Sequence, residues 1–222
     1  MTSPQNKIIR QIAPEKPQRD RCLRCNRGLA TCFCGFARPF DTHTRFVLLM
    51  HPKEFKRQTT GTGRLTHVAL RNSEIIMGCD FSGDLRLSRL LSDPRYYPVL
   101  LFPGPGAINL SENEALPLPC AKKLLVFLID GTWATAKRIL KLNENLSALP
   151  KIRFSPAAPS RFRFKRQPAA HCVSTIEAAY YILCLLESQG LEKLNNQHAT
   201  LIEALDSLVD FQVRFLASAS RK

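Results

Sequence analysis

One apolar segment, residues 124–129, most constrains the fold of this chain. It reads Leu-Leu-Val-Phe-Leu-Ile and is followed directly by Asp130, Gly131, Thr132 and Trp133, the single tryptophan of the sequence. Such an apolar run indicates a strand covered on both faces, and residues 134–142 have helical character. Asp130 therefore comes at the carboxyl end of a buried strand. In open α/β sheets ligands bind at that edge, although Asp130 or Thr132 could equally serve only as a helix cap.

Length and composition favour one main domain with a small appendage. The chain has 222 residues, of which 45% are hydrophobic, enough to bury one substantial core. Periodicity predicts strands at residues 44–50, 74–77, 98–102, 123–129 and 151–154, and helices at 62–70, 84–91, 134–142, 175–187 and 197–216. This alternation predicts an α/β fold with a largely parallel sheet flanked by helices. We expect long loops at residues 103–119 and 156–171, and loops of that length are usually functional.

Four cysteines near the amino terminus form a second strong pattern. Cys22, Cys25, Cys32 and Cys34 lie within 13 residues, at a spacing that suits one tetrahedral Zn²⁺. Two local disulfides and an iron–sulfur centre are the alternatives, and a reducing compartment disfavours the disulfides. We predict a structural zinc knuckle within a basic segment at residues 1–40, followed by a main domain at residues 41–222. Loss of the metal is expected to unfold the knuckle and to leave the main sheet folded.

The net charge of +14 is concentrated at the two ends of the sequence. Residues 1–73 carry an excess of 10 positive charges and residues 151–222 an excess of 4, whereas residues 74–150 are balanced. From Lys151 to Arg166, six basic residues and no acidic one are interleaved with Phe154, Phe162 and Phe164. Surfaces that hold phosphates and stack on bases have this pattern, but so does a solvated face with phenylalanines turned into the core. The charge favours a polyanionic partner.

The sequence carries neither a membrane-span pattern nor a secretion-signal pattern. The longest apolar run is far short of a membrane span, and residues 1–20 are interrupted by prolines and charges. We therefore expect a cytoplasmic protein with reduced thiols, without a membrane partner and with no obligate protein partner evident.

Five sequence blocks occur in a characteristic order. They are the cysteine cluster, Thr62-Gly63-Arg64-Leu65, Leu101-Phe102-Pro103-Gly104 with Ala107, Asp130 with Thr132-Trp133, and Ser174-Thr175-Ile176-Glu177-Ala178. Together these blocks resemble the DTW-domain family, the tRNA-uridine aminocarboxypropyltransferases. The resemblance covers roughly residues 21–186.

This resemblance implies a fold and an activity. The family is similar to the knotted SPOUT methyltransferases, which implies a C-terminal knot that holds S-adenosylmethionine and makes residues 41–222 the catalytic domain. It also implies transfer of the 3-amino-3-carboxypropyl group from S-adenosylmethionine to N3 of a tRNA uridine, which we expect in the variable loop. Methylthioadenosine is released. Because N3 must lose its proton and attack the γ-carbon beside the sulfonium, a nearby carboxylate is needed, and Asp130 is the candidate as base or as uracil-orienting group.

Three turns, which follow residues 102 and 130 and precede residue 175, are expected to converge on the cofactor. The expected cofactor contacts are Leu101, Phe102, Pro103, Gly104, Ala107, Gly131, Thr132, Trp133, Ser174 and Thr175. The expected tRNA contacts are Lys56, Arg57, Arg64, Arg161, Arg163 and Lys165. Simpler interpretations stay open, since Ser174 and Glu177 satisfy a capping box and Trp133 suits burial as well as stacking. The alternative functions are a SAM-dependent RNA methyltransferase and a non-enzymatic zinc-containing RNA-binding protein.

Overall fold

A sheet and its flanking helices make up the computed structural model, which describes residues 21–57, 61–163 and 172–219. The strands are β1 (Arg45–Met50), β2 (Ser73–Met77), β3 (Tyr96–Leu101), β4 (Ile108–Asn109), β5 (Lys123–Asp130) and β6 (Lys151–Arg153). The helices are α1 (Pro52–Arg57), α2 (Thr62–Ala69), α3 (Leu85–Ser92), α4 (Trp133–Leu142), α5 (Glu144–Ser147), α6 (Thr175–Ser188) and α7 (Ala199–Ala219). Short 3-10 turns lie at Leu29–Thr31, Cys34–Phe36 and Leu110–Glu112.

The strands form one sheet in the order β2-β1-β5-β3-β6-β4, and each neighbouring pair is parallel. Parallel neighbours require crossover connections, so the helices lie over the faces of the sheet. The register pairs Met50 of β1 with Asp130 of β5, so these two strands end side by side. This arrangement confirms the predicted α/β fold with a parallel sheet.

Strand β5 is buried on both faces, as its apolar run predicts. Leu124, Val126 and Leu128 belong to the core that α2, α6 and α7 complete. Leu125 and Phe127 belong to the core on the opposite face, with residues of α3, α4 and α5. Each fully buried side chain of this size contributes roughly 1.5–3 kcal/mol of transfer free energy. The strand that carries Asp130 is therefore held rigidly from both sides.

The segment 103–119 is more ordered than expected. Ile108–Asn109 forms edge strand β4, which pairs with β6, and the following 3-10 turn buries Leu110. The side-chain oxygen of Asn109 accepts a hydrogen bond from the Ser111 amide at 3.2 Å. The expectation of one long irregular loop is thus wrong, because a two-residue edge strand is too short to show an alternating pattern.

Two short helices, α1 and α5, add to the predicted elements. Helix α1 begins at Pro52, a residue suited to the first helical position, and His51 Nδ1 accepts a hydrogen bond from the Lys53 amide at 3.1 Å. His51 therefore serves as a cap. In the ranges that the structure describes, no helix combines the length and the apolar character needed to cross a membrane.

Candidate active site and metal centre

Asp130 ends β5 at the carboxyl edge of the sheet. The residue is 2% exposed, and its Oδ1 accepts a hydrogen bond from Thr175 Oγ1 at 2.6 Å. Thr175 is the first residue of α6 and is half-buried. The carboxylate is thus shielded from solvent, whereas the residue that donates to it is partly accessible.

Gly63, near the start of α2, packs directly against the same carboxyl group. A Cβ atom at this position would lie 2.5 Å from Asp130 Oδ2 and 2.6 Å from Asp130 Cγ, so a side chain does not fit. The amino-terminal turn of α2 therefore contacts the carboxyl group from one side, and Thr175 at the start of α6 contacts it from another. Helix amino termini stabilise nearby negative charge. The sequence signal for this contact is a glycine inside a helical pattern, which usually has a packing reason.

Trp133 lies at this edge and joins two other turns. The residue is 37% exposed, so it is not a core tryptophan. Its ring meets that of Phe102, which follows β3, edge-on at 5.7 Å, and its Nε1 donates to Cys172 Sγ at 3.1 Å. The turns after β3 and β5 and the segment before α6 therefore contact one another, as predicted.

The remaining candidate cofactor residues line these turns to different degrees. Thr132 caps α4, since its Oγ1 accepts a hydrogen bond from the Thr135 amide at 3.2 Å, which places the cap at Thr132 rather than Asp130.

Four of the candidate cofactor residues are exposed, Gly131 and Thr132 after β5 and Pro103 and Gly104 after β3. Gly106, in the turn after β3, adopts the left-handed φ of +71°. Leu101 and Phe102 are half-buried, and Ala107 is buried. The exposed edge consists mainly of backbone and small side chains.

Ser174 and Glu177 form the predicted capping box at the start of α6. Glu177 Oε2 accepts hydrogen bonds from the Ser174 amide at 2.8 Å and from Ser174 Oγ at 2.6 Å. Ser174 is 8% exposed and its hydroxyl donates to Glu177, which disfavours a contact between this hydroxyl and a cofactor. Glu177 also accepts from Ser160 Oγ at 2.7 Å and from the Arg161 amide at 2.6 Å. Sequence reasoning identified the cap but missed this link to a distant loop.

The basic segment after β6 exposes two of its arginines but buries one of its phenylalanines. Arg161 and Arg163 are exposed, and Arg161 pairs with Asp206 of α7 at 2.7 Å. Phe162 is 3% exposed and belongs to the core, so it is not a platform for a base. Lys165 and Phe164 lie outside the described residues. The alternative of phenylalanines turned inward is therefore correct for Phe162.

Arg64 does not face solvent, which argues against its predicted contact with tRNA. The residue is 5% exposed, its guanidinium lies 4.2 Å from the Phe55 ring centroid, and it donates to the backbone carbonyls of Phe55 and Cys25. Arg64 thus connects α2 to the cysteine segment. The side chains of Lys56 and Arg57 lie outside the described part of the chain.

The four cysteines of the amino-terminal cluster meet at one point. Their Sγ atoms all lie within 4.8 Å of one another, and the pairs Cys22–Cys34 and Cys25–Cys32 are each 3.7 Å apart. These cysteines are free thiols, at separations far beyond a disulfide bond. Tetrahedral Zn²⁺ with bonds of about 2.3 Å places its sulfur ligands about 3.8 Å apart. The cluster therefore has the donor set and dimensions of a four-thiolate metal site.

The charges around this cluster fit an anionic metal–thiolate centre. Hydrogen bonds from the Cys25 and Arg24 amides lower the pKa of Cys22 to about 6, whereas burial raises the pKa of Cys34. Arg27 is 8% exposed and stacks on Phe33 at 5.2 Å, and its Nη1 has no hydrogen-bond partner in the described structure. Burial lowers the pKa of Arg27, while the charges of Cys25 and Cys32 raise it. A divalent cation held by four thiolates leaves net negative charge, which offsets this buried guanidinium.

The cysteine segment shares its core with the main sheet. Cys25 is fully buried and belongs, with Phe33 and Phe40, to the same hydrophobic cluster as residues of α2, α6 and α7. The Phe36 ring also contacts Phe211 of α7 at 5.8 Å. These contacts argue against the expectation that metal loss leaves the main sheet unaffected.

These features define an α/β protein that gathers Asp130, Thr175 and Trp133 at the carboxyl edge of a parallel sheet and packs a four-cysteine cluster into the core on one face of that sheet. The chain belongs to the DTW domain family, which matches residues 19–213. No solved structure matches the chain significantly.

Three relatives carry the name tRNA-uridine aminocarboxypropyltransferase 2. The mouse (Mus musculus) protein is 32% identical over 204 residues, which cover 89% of this chain and 65% of the relative. The macaque (Macaca fascicularis) protein is 28% identical over 217 residues, with 91% and 66% covered. The Drosophila melanogaster protein is 28% identical over 210 residues, with 91% and 79% covered. The chain thus spans slightly less than two thirds of the mouse and macaque proteins.

Proposed function

We propose that this protein is a tRNA-modifying transferase that moves the 3-amino-3-carboxypropyl group of S-adenosylmethionine to N3 of a tRNA uridine. Membership of the DTW family supports the class of reaction. The structural observation that carries the proposal is the hydrogen bond between Thr175 and Asp130 at the ligand-binding edge of the sheet. The uridine lies in the variable loop, the product is acp3U, and the enzyme works in the cytoplasm.

S-adenosylmethionine binds in the crevice among the turns after β3 and β5 and before α6. The exposed backbone of Pro103, Gly104, Gly131 and Thr132 lets a ligand approach closely, and the amino termini of α4 and α6 suit its carboxylate. The Trp133 ring offers an exposed face for an adenine or a uracil. The half-buried Leu101 and Phe102, with Ala107, support the first turn.

Thr175 connects the substrate to the shielded carboxylate. Its hydroxyl donates a hydrogen bond to Asp130, so a lone pair of its oxygen can accept a hydrogen bond from the N3–H of uracil. As N3 attacks the γ-carbon, its proton passes to Thr175 Oγ1 and the threonine proton passes to Asp130 Oδ1. The bond between that carbon and sulfur breaks, and its electron pair leaves with methylthioadenosine. Asp130 thus acts as the base through Thr175.

The four-cysteine cluster holds one structural Zn²⁺. Its dimensions and the buried Arg27 support this metal, and four protein ligands leave no open position for catalysis. The metal orders a segment that is too short to form a hydrophobic core of its own. Exposed Arg161 and Arg163 contact phosphates of the tRNA, together with Lys56, Arg57 and Lys165.

A double-label assay tests the proposed reaction. Purified tRNA is incubated with zinc-loaded protein and S-adenosylmethionine labelled either in its carboxyl group or in its methyl group. We expect carboxyl label in tRNA, no methyl label, and acp3U in the nucleoside digest by mass spectrometry. Methyl label alone would indicate an RNA methyltransferase. Tight tRNA binding without any transfer or S-adenosylmethionine binding would indicate a non-enzymatic RNA-binding protein.

A further inference from the structure

A pocket with a volume of about 410 Å³ lies between the cysteine segment and the carboxyl-terminal end of α2. Its apolar wall consists of Leu23, Pro39, Val68 and Leu70. Val68 and Leu70 are 5% and 1% exposed and form a firm floor, whereas the Leu23 side chain is fully exposed. An isolated, fully exposed leucine beside an apolar floor leaves a slot open on one side.

The rim of this pocket carries two arginines, Arg24 and Arg71. His67 also lines the rim, but burial lowers its pKa and favours the neutral imidazole. Arg24 is exposed, Arg71 forms a surface ion pair with Asp41 at 2.8 Å, and His67 is held by Ser73 Oγ at 2.9 Å. Residues 21–43 expose three arginines, Arg21, Arg24 and Arg38, against the acidic Asp41, whereas the fourth arginine, Arg27, is buried beside the cysteines. The combination of an apolar slot and a cationic rim matches a group with a flat apolar face and an attached phosphate.

The position of the pocket relates it to the candidate active site. Gly63, at the start of α2, contacts Asp130, and Leu70 follows the end of the same helix. Seven residues of helix span about 10 Å, the length of about three stacked nucleotides. Because α2 itself is almost entirely buried, an RNA strand that bridges the two places runs over the surface beside this helix.

We propose that this pocket binds an unstacked nucleotide of the tRNA substrate, a few nucleotides from the modified uridine. The inference rests on the proposed function for the identity of the RNA. The base lies against Leu23 and the floor, and Arg24 and Arg71 hold its flanking phosphates, as in other single-strand RNA sites that combine apolar contacts with cations. The four-cysteine segment thus serves as an RNA-contacting element as well as a metal site.

Matched substitutions on the full-length, zinc-loaded protein test the pocket. Leu23→Ala and Arg24→Gln alter its wall and rim, and each exposed side chain can be removed without loss of core packing. Leu29→Ala and Arg38→Gln are the controls, because Leu29 and Arg38 are exposed residues of the same segment that do not line the pocket. The dissociation constant of a fluorescent tRNA transcript is measured as a function of salt. Zinc content and melting temperature verify that each variant is folded.

We expect Leu23→Ala and Arg24→Gln each to weaken tRNA binding about three- to tenfold, and Arg24→Gln to lower the salt slope by about one. The controls should stay within about twofold of the native protein. The proposal would be overturned if each pocket variant weakened tRNA binding no more than its control, Leu23→Ala against Leu29→Ala and Arg24→Gln against Arg38→Gln. It would also be overturned if both pocket variants bound tRNA with unchanged affinity, a result that would indicate that the exposed Leu23 contacts a protein partner.

Photo-crosslinking of the native protein gives a measurement that does not depend on the variants. Irradiation of a 4-thiouridine tRNA complex should attach nucleotides to peptides that contain residues 21–27 or 67–71. Crosslinks confined to other peptides would contradict the pocket.

Failure of the proposed transfer reaction can be distinguished from failure of the pocket. If only the reaction is wrong, the native protein transfers neither label to tRNA, while the pocket variants still bind tRNA more weakly than the native protein. Conversely, label transfer with unaltered affinity of the variants rejects the pocket and retains the enzyme.

Discussion

The contact between Thr175 and Asp130 leads to a prediction for single residues. Asp130→Asn removes the basic group and keeps its shape, and Thr175→Val removes the intervening hydroxyl and keeps its volume. Turnover in the carboxyl-label assay should fall by roughly 10² to 10⁴ in Asp130→Asn and by at least about tenfold in Thr175→Val. Thr200→Val, also near the start of a helix, is the control and should retain activity.

The pH profile separates proton transfer from a merely structural role. At high pH the uracil N3 ionises without help, so the deficit of both variants should shrink as pH rises. A deficit that is constant with pH would mean that the pair only orients uracil. Unchanged turnover in Asp130→Asn would remove the carboxylate from the mechanism.

Glu177 gives a second prediction at this scale. Its carboxylate accepts four hydrogen bonds from Ser160, Arg161 and Ser174, whereas a glutamine at this position has one oxygen acceptor. Glu177→Gln should lower stability by about 1–3 kcal/mol, which corresponds to several degrees in melting temperature. Glu144→Gln, on an exposed residue in the first turn of α5, is the control. Equal melting temperatures in the two variants would show that these four bonds contribute little.

Single residues were predictable where one local pattern determines them. Asp130 follows from the apolar run before it, and the Ser174–Glu177 cap follows from its spacing. The burial of Arg64 was not predictable, because its partners are backbone carbonyls of Cys25 and Phe55 that the fold brings together. The same applies to the link between Glu177 and the Ser160 loop.

At the scale of elements, β5 contributes to both hydrophobic cores, so substitution of its buried residues should lower the free energy of unfolding strongly. Phe127 is fully buried in the core on the α3, α4 and α5 side. Phe127→Ala should reduce the free energy of unfolding by about 3–5 kcal/mol, because it leaves a cavity as well as losing apolar burial. Leu142→Ala, at a residue that is 46% exposed, should cost much less. Chemical denaturation of both variants measures the difference, and similar losses would contradict the central position of β5.

Most long elements were predictable and most short ones were not. Apart from the six-residue α1, which was missed, the strands and helices of five residues or more follow from periodicity to within about two or three residues, and so does the three-residue β6. β4 and α5 were missed because two to four residues do not define a period, and their pairing partners come from distant segments. The register that places Met50 beside Asp130 also depends on the whole sheet and not on either strand alone.

At the scale of the whole molecule, the metal site and the main core should unfold together. Cys25 and Phe33 pack into the cluster that α2, α6 and α7 share. Removal of zinc with a chelator should therefore lower the melting temperature of the entire protein. Because protons compete with the metal for thiolates, zinc affinity should fall as pH decreases. Calorimetry with parallel metal analysis measures both effects, and an unchanged melting temperature in the metal-free protein would show that the knuckle is energetically separate.

The overall architecture was predictable only in part from the sequence. The alternation of strands and helices gave a parallel α/β sheet, and the five blocks gave the family. The strand order was not predictable, because it depends on which crossovers pass over which face. The C-terminal knot that the resemblance implies, and the division at residue 40, stay predictions.

The strand order also has a consequence for synthesis on the ribosome. β1 ends at Met50, but the neighbour that closes its inner edge, β5, begins at Lys123. At 5–20 residues per second, roughly 4 to 15 s pass between the emergence of these two strands. During that interval the nascent chain exposes an apolar strand edge, while the cysteine segment, made earlier, would already be able to bind the metal that we propose for it. We expect the sheet to form only after β5 has been synthesised, and the nascent chain to depend on chaperones until then.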